Sequence, residues 1–306
     1  MSVATSPTSL KIGNRRLNVS NLQKVLYPAA GFTKQDVIDY YVGIGDVILK
    51  HLKGRTVTLK RYPNGSEDMF FYEKNCPVHR PAWVTTANVP SANRTGGINY
   101  CLIENKASLA WLAQIAALEL HTSLAKAPTV EKPTMMVFDL DPGPPADMID
   151  CIHIALRMRD VLKRLGLESF PKTSGGKGLH FYVPLNTPGV TFDETKSFAR
   201  AVAELFERED PERVVSSMKK SLRVNKVLID WSQNDEHKTT VCPYSLRARQ
   251  RPTVSTPVTW KEVESAFAAR DPSQLVFEAH DVLARIKKRG DLFAPVLTVK
   301  QKLPRF

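Results

Sequence analysis

The clearest chemistry in this chain lies in Met135-Met-Val-Phe-Asp-Leu-Asp-Pro-Gly143, an apolar run that ends in two aspartates. Side chains alternate faces along a strand, so Asp139 and Asp141 point one way and Met136, Phe138 and Leu140 the other. Two carboxylates that close repel each other unless a cation neutralises them. Oxygen-preferring ions such as Mg2+ or Mn2+ do this. Pro142-Gly143 stops the strand, which puts the pair at its carboxyl edge, where open sheets commonly bind ligands. Val227-Leu-Ile-Asp-Trp231 is another apolar strand closing on an acid, Asp230. If the two strands are neighbours, three carboxylates converge, a set suited to two metal ions in phosphoryl or nucleotidyl transfer. A phosphohydrolase with Asp139 as nucleophile is the rival enzyme reading. The Pro142-Gly143 pair fits that reading poorly.

Lys172-Thr-Ser-Gly-Gly-Lys-Gly-Leu-His-Phe181 lies between the two acidic strands. Its small residues allow close approach of a phosphate to backbone N–H groups, and Lys177 adds charge. It is not a P-loop, because Gly-x4-Gly-Lys-Ser/Thr is absent, and a glycine-rich hairpin turn is the plain alternative. Lys219, Lys220, Arg223 and Lys226 precede Asp230, and Lys238, Arg247, Arg249 and Arg251 follow it. Such runs are usually solvated faces; around a metal site they also suit triphosphate or backbone binding. Lys60-Arg61 and Phe70-Phe-Tyr72 pair cations with aromatics, as in base stacking, although core packing of the rings is the simpler reading.

The elements that must position these groups follow from periodicity. Thr33 caps a helix through His51, ended by Gly54; Thr56 to Arg61 is a strand, followed by a Tyr62-Pro-Asn-Gly65 turn. Ala107 to His121 reads as a buried helix. Then strand 134–140, helix 147–165, strand 179–183, helix 193–208 and strand 224–231 alternate, which argues for an α/β or α+β sheet with helices packed on it. Short helices near Trp260 to Ala268 and His280 to Lys288 precede a polar tail.

With 306 residues and 42% hydrophobic content, the chain can bury a real core. Its formal charge of +12 favours a polyanionic partner. No 18-residue apolar run could cross a membrane, and the polar start does not read as a secretory signal. Cys76, Cys101, Cys151 and Cys242 are widely spaced without a CxxC, which reads as reduced thiols of a cytoplasmic protein.

Ten motifs then fall in one order, among them Asn21-Leu-Gln-Lys-Val-Leu-Tyr-Pro28, Lys60-Arg-Tyr-Pro-Asn-Gly65, Phe71-Tyr-Glu-Lys74, Phe138-Asp-Leu-Asp-Pro-Gly143, Thr173-Ser-Gly-Gly-Lys-Gly-Leu-His180 and Asp230-Trp-Ser-Gln-Asn234. Together they resemble the polymerase domain of bacterial DNA ligase D, in the archaeo-eukaryotic primase superfamily. The resemblance implies an RRM-like catalytic sheet and a second α/β part combined in one compact unit over residues 17–295, with a disordered lead-in at 1–16 and a basic tail at 296–306. It implies that Asp139, Asp141 and Asp230 hold two Mn2+ or Mg2+ ions. It implies that Ser174, Lys177 and His180 contact the incoming triphosphate, with Arg223 and Arg247 nearby, and that Lys60 and Gln233 position the nucleotide. By the same resemblance His121 lies near the sugar, Phe71 and Tyr72 stack on a base or DNA end, and Asn21, Lys24 and Lys34 grip a 5′-phosphate. The implied activity is addition of NTP or dNTP to a primer at gapped or broken DNA, in end joining or in gap filling of the base-excision type. No Lys-x-Asp-Gly ligase motif occurs. The expectation is therefore a stand-alone, monomeric primase-polymerase that needs a separate DNA ligase and an end-binding protein, with a non-catalytic DNA-end binder as a further alternative.

Overall fold

A computed structural model describes residues 8–91 and 94–304. They divide into two compact units. The first comprises Met1–Thr122, Val241–Val254 and Glu278–Gly290, and the second Ser123–Thr240, Ser255–Phe277 and Asp291–Phe306.

The second unit is built on a five-stranded sheet in the spatial order Phe170–Thr173, Leu179–Pro184, Met135–Pro142, Val227–Asp230, Val214–Val215. Neighbours are antiparallel except the last pair. The chain runs strand Met135–Pro142, helix Met148–Arg164, strands Phe170–Thr173 and Leu179–Pro184, helix Phe192–Glu209, strand Val227–Asp230. That βαββαβ order, with the first strand between the third and the fourth, is the RRM-like arrangement expected. Met136, Phe138 and Leu140 are fully buried with Leu179, Phe181, Val183 and Ile229 against Ile152, Ala155, Met158 and Leu162 of one helix and Phe198, Val202 and Phe206 of the other. Capping boxes at Asp147 and Thr191 start the two helices. On the opposite face, Met135, Val137 and Tyr182 pack with Leu124, Phe293 and Val296. The other end of that face carries the polar residues described below.

The first unit holds a six-stranded sheet in the order Thr240–Val241, Ala117–Thr122, Val57–Arg61, Ile98–Cys101, Thr86–Val89, with Phe71–Glu73 also paired to Val57–Arg61. Helices Lys34–Gly43, Gly45–Leu52, Lys106–Gln114 and Ala279–Arg289 belong to it. Thr33 caps the first of these through a capping box with Asp36.

Several expectations need correction. The helix expected through His51 is broken after Gly43. The helix expected from Ala107 to His121 stops at Gln114; Ala116 takes a positive φ of 56°, and Ala117–Thr122 is a central strand. An unbroken apolar run satisfies a buried helix and a buried strand equally, and no Gly or Pro marks the switch. Thr8–Ile12 pairs with Arg15–Val19 across Gly13-Asn14, so residues 8–16 are an ordered hairpin rather than a disordered lead-in. Met1 to Pro7 lie outside the described residues. In the tail, Gln301 donates through Nε2 to the carbonyls of Pro184 and Glu168, which ties that segment to the second unit. Arg305 and Phe306 lie outside the described residues. Cys76 and Cys101 form a disulfide, with Cα atoms 4.9 Å apart, contrary to the reading of four reduced thiols; Cys151 and Cys242 are buried thiols outside that bond. A separation of 25 residues carries no pairing signal, because pairing depends on where strand Ile98–Cys101 lies in space.

Candidate active site

Strand register brings the acids together. Asp139 stands directly opposite His180 on one neighbouring strand and Asp230 on the other. Directly opposed residues share a face, so His180, Asp139 and Asp230 form one row across three strands. Asp141 follows two residues on, exposed at the carboxyl end of the central strand. Its carboxyl is nevertheless pushed up to about 6, first by the charge of Asp139, then by burial of the group, with Asp230 adding and His180 and Arg223 opposing.

Each acid is held by its own donors. His180 Nε2 is 3.0 Å from Asp139 Oδ1. Asp230 Oδ1 accepts from Ser232 N at 3.0 Å and from Ser232 Oγ, and Oδ2 accepts from Gln233 Nε2 at 2.8 Å. Gln233, expected to position a nucleotide, thus holds an acid. Lys238 Nζ donates in turn to Ser232 Oγ. Three oxygen-donor carboxylates on one face, with one of them raised by its like-charged neighbours, fit a hard divalent cation by donor type and by charge. Among the described residues no three His, Cys, Asp or Glu side chains are gathered at metal-holding distance.

The glycine-rich loop lies against the central strand. Gly178 approaches so closely that a Cβ there would sit 2.1 Å from Leu140 O and 3.2 Å from Asp141 Oδ1. Ser174 N bonds Gly178 O at 3.0 Å, and Ser174 Oγ accepts from the Gly176 and Gly178 amides at 3.1 Å each. Ser174 is thereby occupied in shaping the loop that it was expected to equip for a triphosphate. Lys177 is exposed on the loop. Gly143 plays a matching part: a Cβ there would meet Arg223 O at 1.8 Å, so only glycine lets the Arg223 segment lie beside the strand end. Arg223 Nη2 donates to Met218 O at 2.6 Å.

Two buried polar residues beside this row were missed, Lys172 directly opposite His180 and Asn234 on the central strand's backbone. Lys172 is completely buried; its ammonium lies 3.2 Å from His180 Nδ1, donates to Ser255 Oγ at 2.7 Å and stands 5.6 Å from the Tyr182 ring centroid. An ammonium only donates, so Nδ1 accepts and the proton of a neutral His180 sits on Nε2, facing Asp139. Asn234, also fully buried, donates from Nδ2 to Val137 O and accepts Val137 N on Oδ1, which pins the central strand. Alternation in the sequence marked the acids but not these buried polar partners.

The remaining expected residues belong to the first unit. Tyr72, Lys60 and Glu119 are directly opposed across three strands. Lys60 Nζ lies 4.1 Å from the Phe70 ring centroid, 5.2 Å from Tyr62 and 5.5 Å from Tyr72. Phe71 stands instead over Arg61, at 5.1 Å. Adjacent strand residues face opposite ways, so Phe71 and Tyr72 do not share a face; Phe70 lies edge-on to Tyr72 instead, with ring centroids 6.0 Å apart. His121 meets the Tyr72 ring edge-on at 5.9 Å and lies 3.0 Å from Glu119, and Arg247 Nε lies 3.2 Å from the same carboxylate. Asn21, Lys24 and Lys34 are linked by backbone bonds from Lys24 N to Asn21 O and from Lys34 N to Lys24 O. Lys34 is buried with its ammonium on Ser20 O at 3.1 Å; burial, then Lys24, lowers its pKa.

Comparison with known proteins decides the family. The family described as "LigD, primase-polymerase domain" matches residues 33–293. The chain belongs to the LigD primase-polymerase domain family. It is 43% identical over 286 residues to the multifunctional non-homologous end joining DNA repair protein LigD of Mycobacterium tuberculosis H37Rv, covering 91% of this chain and 36% of that protein. To the bifunctional non-homologous end joining protein LigD of Bacillus subtilis it is 32% identical over 275 residues, 90% of this chain and 43% of that one. The chain thus spans about a third of the length of its mycobacterial relatives. The solved polymerase domain of M. tuberculosis ligase D, in complex with DNA, superposes with a TM-score of 0.85 at 41% identity, over 94% of this chain and 99% of that one. As a member of the LigD primase-polymerase family, the protein is a nucleotidyltransferase.

Proposed function

We propose that this LigD-type domain extends a DNA primer by one or a few nucleotides at a short gap or break that carries a 5′-phosphate, in end joining or in gap filling. The observation that carries the reading is the row His180, Asp139, Asp230 across three strands, with Asp141 at the strand end. Asp139, Asp141 and Asp230 would hold two Mn2+ or Mg2+ ions. When bound, these supply Lewis-acid activation of the primer hydroxyl and charge neutralisation of the triphosphate. The chain's own part is positional. His180 orients Asp139, Ser232 and Gln233 orient Asp230, and the Ser174-braced loop presents the exposed Lys177 to phosphate oxygens. Lys60, His121 and Arg247, with the rings of Phe70 and Tyr72, receive the nucleotide or an unpaired base. Asn21, Lys24 and Lys34 receive the 5′-phosphate, because a dianion relieves the repulsion between the buried Lys34 ammonium and the exposed Lys24.

A gapped duplex tests this, with NTP or dNTP, in Mn2+ or Mg2+, with and without the 5′-phosphate. Incorporation that the phosphate strengthens is the expected result. Binding of the phosphorylated gap without incorporation in either metal would reduce the chain to a DNA-end binder, and release of phosphate from an aryl phosphate without incorporation would make it a phosphohydrolase.

A further inference from the structure

Glu119 sits in the strand Ala117–Thr122 and is 1% exposed. A buried carboxylate is costly unless its lone pairs are met. Here five donors meet it. Oε1 accepts from Tyr62 OH at 3.3 Å and from Ala248 N at 3.1 Å, with Lys60 Nζ at 3.6 Å. Oε2 faces His121 Nε2 at 3.0 Å and Arg247 Nε at 3.2 Å. Burial alone would raise its pKa, but the His121 hydrogen bond and the charges of Arg247 and Lys60 hold the group well below the usual carboxylate range.

We infer that Glu119 is a positioning residue: its carboxylate sets Lys60, His121 and Arg247 in the arrangement that receives the nucleotide. This rests on the reading that this surface binds nucleotide. Two permanent cations so close would repel and swing apart; one shared carboxylate holds them together and leaves a surplus positive charge for an anionic ligand. Burial lowers the His121 pKa, so the ring is neutral near pH 7. A neutral ring that donates from Nε2 to Glu119 keeps Nδ1 as an acceptor, ready for a ligand hydroxyl. Lys60, anchored below, stiffens the exposed rings of Phe70 and Tyr72 stacked over it.

Glu119→Gln keeps the shape and removes the charge. We expect it to raise the KM for NTP about tenfold or more with kcat within about threefold, the signature of lost ligand binding. In the ligand-free protein, 15N spectra of labelled histidine should show His121 leaving the single Nε2-protonated form. A merely structural role would lower the melting temperature and leave KM and the His121 spectrum unchanged. A folded Glu119→Gln variant with wild-type KM and wild-type His121 signals overturns the inference. Arg247→Ala separates the two levels: if it raises KM while Glu119→Gln does not, only the role of Glu119 falls, and if neither changes KM, the nucleotide-binding reading falls with it. Should Glu119→Gln not fold, Glu119→Asp withdraws the charge by one methylene, and the same KM and spectral readouts decide.

Discussion

Asp141 is held in an unfavourable state by its neighbours. Its carboxyl is raised from 3.8 to about 6, chiefly by Asp139. A group whose folded pKa exceeds its unfolded value gives stability that is complete below the unfolded pKa and lost as pH rises through the folded one. Asn at this position keeps that stability at every pH. Asp141→Asn, free of added metal, is therefore expected to melt a few degrees higher than wild type at pH 8. The gain should shrink as pH falls through 6 and vanish below about 4. Exposure of Asp141 to solvent screens the effect, so a gain larger than this would need another cause. Equal melting at pH 8 would contradict the proposed mutual repulsion. At this scale the acids were legible from alternation and charge alone. Lys172 and Glu119 were not, because a buried charge is identified by what surrounds it, and those neighbours come from distant segments: Ser255 for Lys172, Arg247 and Ala248 for Glu119.

Elements place these residues by register and by close approach. The sheet order makes Asp139 the common neighbour of His180 and Asp230. The sequence disclosed the strands and helices of the second unit well, since their apolar stripes have a clear period and their caps are explicit at Asp147 and Thr191. It misread the segment from Ala107 to His121, where the turn at Ala116 leaves no compositional trace. That one error hid Glu119, because on a helix Glu119 and His121 face apart, whereas on a strand they share a face. The loop from Ser174 to Gly178 depends on backbone contact with the central strand. Gly178→Ala places a Cβ 2.1 Å from Leu140 O, so the loop must lift. The variant should lose about 2 kcal/mol of stability, as overpacked sites do, and bind triphosphate more weakly. Urea unfolding and the KM for NTP check both; wild-type values of each would show that the loop needs no such contact.

Across the whole molecule, a net charge of +12 and two compact units divide the expected residues. The second carries the acids and the glycine-rich loop; the first carries the Glu119 cluster and the residues Asn21, Lys24 and Lys34. The RRM-like order was foreseeable from strand–helix alternation and the resemblance. The Cys76–Cys101 disulfide and the N-terminal hairpin were not, one for lack of any spacing signal and the other because its Gly13-Asn14 turn went unread. Lys24→Ala with Lys34→Ala should abolish the preference for a 5′-phosphorylated gap and flatten the salt dependence of DNA binding. Titrations of phosphorylated and unphosphorylated gaps at several salt concentrations measure this, and a preference that survives assigns the phosphate elsewhere. The central claim is that the acids on strands Met135–Pro142 and Val227–Asp230 perform nucleotidyl transfer. Its most direct test is Mn2+-dependent extension of a gapped primer by the Asp139→Ala, Asp141→Ala double variant beside wild type. We predict extension by wild type and a loss of at least about a thousandfold in the variant, as when a group that acts as a unit is removed. Extension at the wild-type rate by the folded variant would contradict it.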